Sequence, residues 1–211
     1  MSVEQIGLEQ NMKKMTATAV ATLGLAFTAA AQAADPSPWV LRVGVHDVDP
    51  KSKNSDIVSV DSARTLTFNL TRMLDEHWGV EVLAALPFQH DIRLNTGGKV
   101  ADVKHLPPTL SVQYHFAPNA KFRPYAGVGL NATIFFSEHT TGALDGHDLS
   151  LGTSFGGAAQ VGMDFDITDT WFLNADVRWL DIDTKAKLDG ASIGSVAIDP
   201  LTFGLSVGRR F

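Results

Sequence analysis

The last eleven residues, 201–211, alternate between two faces and end on an aromatic. Leu201, Phe203, Leu205 and Val207 share one face, while Thr202, Gly204, Ser206 and Gly208 share the other. A two-residue period is what a strand needs when its side chains point in turn to two different media. About 9–11 tilted residues cross the hydrocarbon layer as a strand, so the segment has the length as well as the pattern of a membrane-spanning strand. A soluble sandwich could carry the same pattern at its edge, so the rest of the chain has to decide.

Seven further period-two segments bounded by turn residues precede it, at 39–46, 64–73, 77–88, 105–116, 122–136, 154–167 and 170–181, with the terminal strand read from 196. In 105–116, Leu110, Val112, Tyr114 and Phe116 oppose Thr109, Ser111, Gln113 and His115. In 122–136, Val128, Leu130, Ala132 and Ile134 oppose Gly127, Gly129, Asn131 and Thr133. The segment 77–88 has two apolar faces, with Leu83, Ala85 and Pro87 opposite Val82, Ala84, Leu86 and Phe88. An even strand count suits a closed antiparallel barrel with both chain ends on one side. The expected fold is therefore all-β, an eight-stranded antiparallel up-and-down transmembrane β-barrel.

The N-terminal region points to export. Lys13 and Lys14 precede a mostly apolar run at 16–30 and then Ala31, Gln32 and Ala33, the layout of a secretory signal peptide cut after Ala33. The alternative is a short amphipathic helix or an anchor, although the run falls below the roughly 18–20 residues that a spanning helix needs. Residues 1–33 are thus expected to be an extension plus a cleaved signal, and 34–211 the barrel. No later stretch has the length and apolarity of a spanning helix, so membrane insertion must use strands. With no Cys in 211 residues, disulfides, zinc–thiolate sites and a cysteine nucleophile are excluded. A net charge of −6 with scattered Lys and Arg argues against nucleic acid as a partner.

Connection lengths orient the barrel. The links 74–76, 117–121 and 168–169 are short, whereas 47–63, 89–104, 137–153 and 182–195 are long and polar. That is the asymmetry of bacterial outer-membrane barrels, with periplasmic turns at one end and exterior loops at the other. A soluble lipocalin-like barrel is the competing reading, and it would turn its apolar face inward around a ligand. Trp39, Trp78, Phe116, Phe136, Trp171, Trp179 and Phe211 lie near strand ends, where aromatic residues form interfacial girdles.

Four motifs, GVEVLAALPF at 79–88, HLPPTL at 105–110, FRPYAGVGLN at 122–131 and DIDT at 181–184, resemble the outer-membrane protein W (OmpW) family. They fall in register with the strands counted above, and the likeness runs through the whole chain after the signal. The resemblance implies a monomeric barrel in outer-membrane lipid that passes small hydrophobic solutes, some relatives assisting alkane uptake. It also implies that Phe211 is an assembly signal recognised by the barrel-assembly machinery. One departure is Arg178, at an inward position where some relatives have Trp.

An eight-stranded barrel is just wide enough for its inward side chains to fill it. Arg42, Glu81, Asp164, Asp176, Arg178 and Arg210 all face inward on these strands, and buried charges must pair; the expectation is a charged plug in the inner half. Leu83, Ala85, Pro87 and Phe135 face inward further out, an expected apolar funnel open to the exterior. Pro87, Pro107 and Pro108 lie on neighbouring strands and lack the amide proton that a ladder bond requires, which suggests a lateral exit through the wall; the alternative is that they simply end strands. Seven His are scattered, with no H-E-x-x-H and no G-x-S-x-G, so no enzyme, metal or cofactor is expected. The alternative function is a structural or interaction barrel with a filled lumen, stabilising the envelope or contacting phage or host.

Overall fold

The computed structural model describes residues 39–51 and 57–211. The expected signal peptide and its cut after Ala33 lie outside the described residues. The first strands in chain order are β1 (Trp39–Asp49), β2 (Val58–Val60), β3 (Ala63–Met73), β4 (Trp78–Ala85) and β5 (Phe88–Leu94). There follow β6 (Lys99–Leu106), β7 (Thr109–His115), β8 (Phe122–Thr140), β9 (Leu149–Leu151) and β10 (Ser154–Asp166). The chain closes with β11 (Trp171–Leu180), β12 (Asp183–Leu188), β13 (Ala191–Ala197) and β14 (Leu201–Arg210).

Eight of these close a barrel in the order β1, β3, β4, β7, β8, β10, β11, β14, every neighbour antiparallel, and β14 returns to β1. The closing pair is long, running from Val40↔Arg210 to Asp49↔Leu201. Local chemistry sets the tight turns at the end that carries Trp39 and Phe211. Asp75 Oδ1 accepts from the amides of His77 and Trp78, both at 2.7 Å. Thr168 Oγ1 accepts from the Trp171 amide at 2.9 Å. Such side-chain-to-backbone bonds mimic a further turn of chain and stabilise short reversals.

The outward face is apolar from strand to strand. Val128 is 67 % exposed and Phe155 80 %, with Leu130, Val161, Leu173, Phe203 and Leu205 also exposed around the wall. A contiguous apolar belt of this extent has no place in water but fits hydrocarbon, and near its inner edge Trp78 packs edge-on against Tyr114, centroids 5.0 Å apart. Beyond Phe88 the outward side chains turn polar: Gln89, Asp91 and Arg93 on β5, Asp102 and Lys104 on β6. The wall therefore continues past the membrane.

That continuation differs from the sequence expectation. The segments 89–104 and 182–195, read as long loops, form the hairpins β5–β6 and β12–β13, and β6 pairs with the outer part of β8 from Ala101↔Thr140 to Leu106↔Ile134. Polar residues are frequent on strands that stand in water just as on loops, so composition does not separate the two, although a two-residue period does run through 88–93 and 183–187. The terminal strand begins at Leu201 and not at 196, because 191–197 belong to β13. Alternation also slips by one after Pro87: Pro87 is exposed, whereas Phe88, His90 and Ile92 are buried inward. Phe88, assigned above to the lipid face, faces the interior, and Pro87, assigned inward, does not.

The change Val128→Arg sets a cation against lipid at mid-strand and should cost roughly 2–4 kcal/mol. Gln89→Arg, outside the hydrocarbon, should shift stability by no more than about 0.5 kcal/mol. Denaturant unfolding from lipid vesicles measures both, and equal costs would show that the membrane boundary is misplaced.

Candidate functional site

The inner half of the lumen is a single charge network. Arg42, fully buried on β1, donates from Nη2 to Asp164 Oδ2 at 2.9 Å and from Nε to Asp164 Oδ1 at 3.2 Å. Its Nη1 donates to Thr71 Oγ1 at 3.1 Å and lies 3.7 Å from Glu81 Oε2. Arg178 Nη1 donates to Glu81 Oε1 at 2.7 Å, and Arg178 Nε to Asp176 Oδ1 at 2.6 Å. At the inner rim Arg210 Nη1 donates to Asp166 Oδ1 at 3.0 Å, with Nη2 at 3.6 Å from Asp164 Oδ2, and Arg123 also bonds Asp166. The six charges singled out from the sequence thus come together, and Arg123 and Asp166 join them.

Further polar side chains complete the network. His46 Nε2 donates to Asp176 Oδ1 at 3.1 Å, since a carboxylate only accepts. Gln160 Nε2 donates to Glu81 Oε1 at 3.2 Å, and Asn174 Nδ2 to Asp164 Oδ1 at 2.9 Å and to the Tyr125 hydroxyl at 3.1 Å. The Arg42 guanidinium lies 5.0 Å from the Tyr125 ring centroid and 5.4 Å from that of Phe172, within cation–π range. Small residues on β14 make room for this. A Cβ at Gly208 would sit 2.1 Å from the Phe172 ring, and one at Gly204 would sit 2.3 Å from His46 Nε2. His46, Tyr125, Gln160 and Asn174 all lie on the lumen faces in the sequence, but nothing local marks them as partners of particular charges.

The outer half is apolar and filled. Phe135 joins Ile92, Val103, Leu180, Ile182 and Ile198 in one buried cluster. Leu83, buried, and Ala85, half-buried, lie below that cluster on the lumen face of β4. The expected open funnel is therefore corrected: strands of the outer hairpins bring their inward side chains over it and leave a cavity of about 20 Å³ lined by β2, β5, β6, β9, β12 and β13 side chains with Phe135. Four rings stand at its edge. Phe88 and His105 stack at 5.3 Å, His90 and His105 at 4.9 Å, and Phe135 tilts against His105 at 5.7 Å.

Between the two halves the wall is incomplete. Pairing of β4 with β7 stops at Leu83↔Thr109, and pairing of β5 with β6 starts at Phe88↔His105. Pro87 lies on one side of this unpaired stretch, and Pro107 and Pro108 on the other. Neighbouring strands take the backbone groups instead. The Leu86 amide donates to Leu66 O at 2.9 Å, the Ala132 amide to Pro108 O at 3.0 Å, and Asn131 Nδ2 to Pro107 O at 3.2 Å. Phe211 sits at the inner end, its amide donating to Trp39 O at 2.9 Å and its ring 4.9 Å from the Arg209 guanidinium.

Two outcomes follow from these contacts. Glu81→Ala leaves Arg178 and Arg42 short of an anion and should cost about 3–5 kcal/mol; adding Arg178→Ala should cost clearly less than the sum of the single changes, as a double-mutant unfolding cycle would read. In the outer hairpin, burial pushes His90 below the ordinary imidazole range, Asp61 and Asp91 opposing it, and burial together with the neighbouring His90 pushes His105 down to about 3. The unfolded hairpin then binds protons that the folded one refuses, so hairpin stability is whole above about 6.5 and erodes as pH falls from there towards 3. Hydrogen exchange of β5–β6 amides, corrected for intrinsic rate, should quicken between pH 7 and pH 5 while β1–β14 amides hold.

The comparisons with known proteins agree with this architecture. The model of the OmpW family matches residues 39–211. Outer membrane protein W of Escherichia coli K12 is 40 % identical over 213 residues, covering 95 % of this chain and 100 % of its own length. The crystal structure of the outer membrane protein OprG from Pseudomonas aeruginosa aligns with a TM-score of 0.76 at 33 % identity, over 85 % of this chain and 98 % of that one. A more distant relative, the dibenzothiophene metabolism operon protein PahQ of Pseudomonas aeruginosa, is 27 % identical over 84 % of this chain and 90 % of its own length. A closed eight-stranded barrel with a lipid-facing apolar belt, matched along its whole described length, is an outer-membrane protein, and this chain belongs to the OmpW family.

Proposed function

We propose that the protein passes small hydrophobic molecules from the cell exterior into the outer membrane, releasing them sideways through the wall between β4–β5 and β6–β7. The observation that carries this reading is the lapse of pairing between Leu83↔Thr109 and Phe88↔His105. Inside hydrocarbon a strand wall has its backbone groups paired across each neighbour, and here Pro87 and Pro107 withhold donors that would continue the ladder, while the Pro108 carbonyl turns to β8. Leu86 and Leu110, both about half exposed, put apolar side chains on the lipid side of the opening.

Electrostatics favour the sideways route. Below the opening an apolar solute meets Arg42, Glu81, Arg178 and their partners, tightly paired and filling the lumen, so crossing to the periplasm would require it to break charge-assisted bonds. Above the opening it meets the Phe135 cluster, a largely apolar packing edged by the His90 and His105 rings and, among the described residues, lined by no carboxylate, Lys or Arg side chain. The relative named for dibenzothiophene metabolism belongs with an apolar aromatic compound, which fits a family handling such solutes. Phe211, by the same family likeness, serves recognition by the assembly machinery.

Replacing Pro87 and Pro107 together with Val gives back two amide donors and should tighten the opening. Transfer of a small apolar solute into lipopolysaccharide-containing vesicles should then fall several-fold, while heat-modifiable mobility shows that the barrel stays folded. A folded double variant working at the parent rate would overturn the lateral route and leave the prolines as strand terminators. No protein-dependent transfer by the parent would favour a structural barrel instead.

A further inference from the structure

We propose that the outer cavity beside the lateral opening recognises a polar head on the solute, so that the preferred cargo is an apolar molecule carrying a single hydroxyl or ring N–H rather than a plain hydrocarbon. This rests on the passage reading above and names the class of solute for it. The cavity is lined by Val58, Val60, Ile92, Val103 and Ile198, with two polar rings set among them. His90 and His105 are 2 % and 3 % exposed. His90 Nδ1 lies 2.5 Å from Asp61 O. A carbonyl only accepts, so Nδ1 carries the proton and Nε2 offers a lone pair.

Among the described residues no group bonds His90 Nε2 or His105 Nδ1. A buried acceptor without a donor is costly, and a ligand that brings one is favoured over an analogue that lacks it. Burial holds both rings neutral at ordinary pH, so they act as hydrogen-bonding groups and not as cations that would select an anion. Size and position agree with a head-group site. About 20 Å³ accommodates roughly one hydroxyl-sized group and not a whole solute. Phe88 and His105 are the first paired residues beyond the unpaired stretch, so a head bonded at the imidazoles leaves its apolar body lying at the opening to lipid, against the Phe88 and Phe135 rings.

The test compares naphthalene with 1-naphthol, which share a carbon skeleton, on the full folded protein in nanodiscs. Affinity is read from ligand-induced NMR shifts, including those of the imidazole ring nitrogens. The parent should bind 1-naphthol about tenfold more tightly than naphthalene, the discrimination that one hydrogen bond to a buried acceptor supplies. His90→Phe with His105→Phe should abolish the preference and leave naphthalene affinity unchanged, whereas His90→Gln, which keeps a polar group there and guards against a folding failure of the double variant, should retain part of it. Equal affinities in the parent, or a preference that survives the double Phe change, would overturn the assignment while leaving passage of hydrocarbon intact. If neither compound binds, the passage reading falls and the head-group site falls with it.

Discussion

Backbone hydrogen bonding without water is the constraint on which the rest depends. In hydrocarbon each strand amide has to find a partner on a neighbouring strand, and only a closed sheet provides one for every strand. Here β14 closes on β1 over ten residue pairs, and β8 holds β7 on one side and β10 on the other. With eight strands the closed wall encloses a lumen that side chains fill. Charges inside it therefore have to be compensated by one another. Arg42 shows the consequence: a carboxylate bonded twice, a hydroxyl, a second carboxylate nearby and two aromatic faces surround one guanidinium.

Because pairing is so strongly demanded, the place where it lapses is informative. The wall forks at Pro87 and at Pro107–Pro108, and the free backbone groups turn outward to β3 and β8, so the flanking seams are reinforced while the middle one is left unbonded. Pro87 does a second thing. The chain resumes beyond it one residue out of phase, which carries Phe88, His90 and Ile92 inward. The opening and the inward turn of Phe88 and His90 beside it thus share one local cause.

The face of nearly every spanning strand was legible in the residue order, because lipid on one side and a filled lumen on the other impose a period of two on any strand between them. Val128, Leu130 and Phe203 outward, and Tyr125, Asn131 and Asp176 inward, all follow from alternation alone. Alternation failed where its premise failed. After Pro87 an irregular step shifts the phase, and in water beyond the membrane the alternation of β5 and β12 runs over only six or seven residues rich in polar side chains, so it was absorbed into the polar composition of the loops. The glycines of β14 were visible as a small-residue face, yet their purpose appears only with Phe172 and His46 across from them.

The sequence by itself determined the number of spanning strands, their order, their two faces and the end of the barrel where the chain terminates, since these depend on local periodicity and on connection length. Only the tertiary structure decided which charges meet, and that the outer strands fold inward and close what would otherwise be an open funnel. Glu81 and Arg178 lie 97 positions apart, and Arg42 and Asp164 lie 122 apart. Their meeting depends on the register of every intervening strand pair and on the stagger with which the sheet closes, neither of which any single segment encodes.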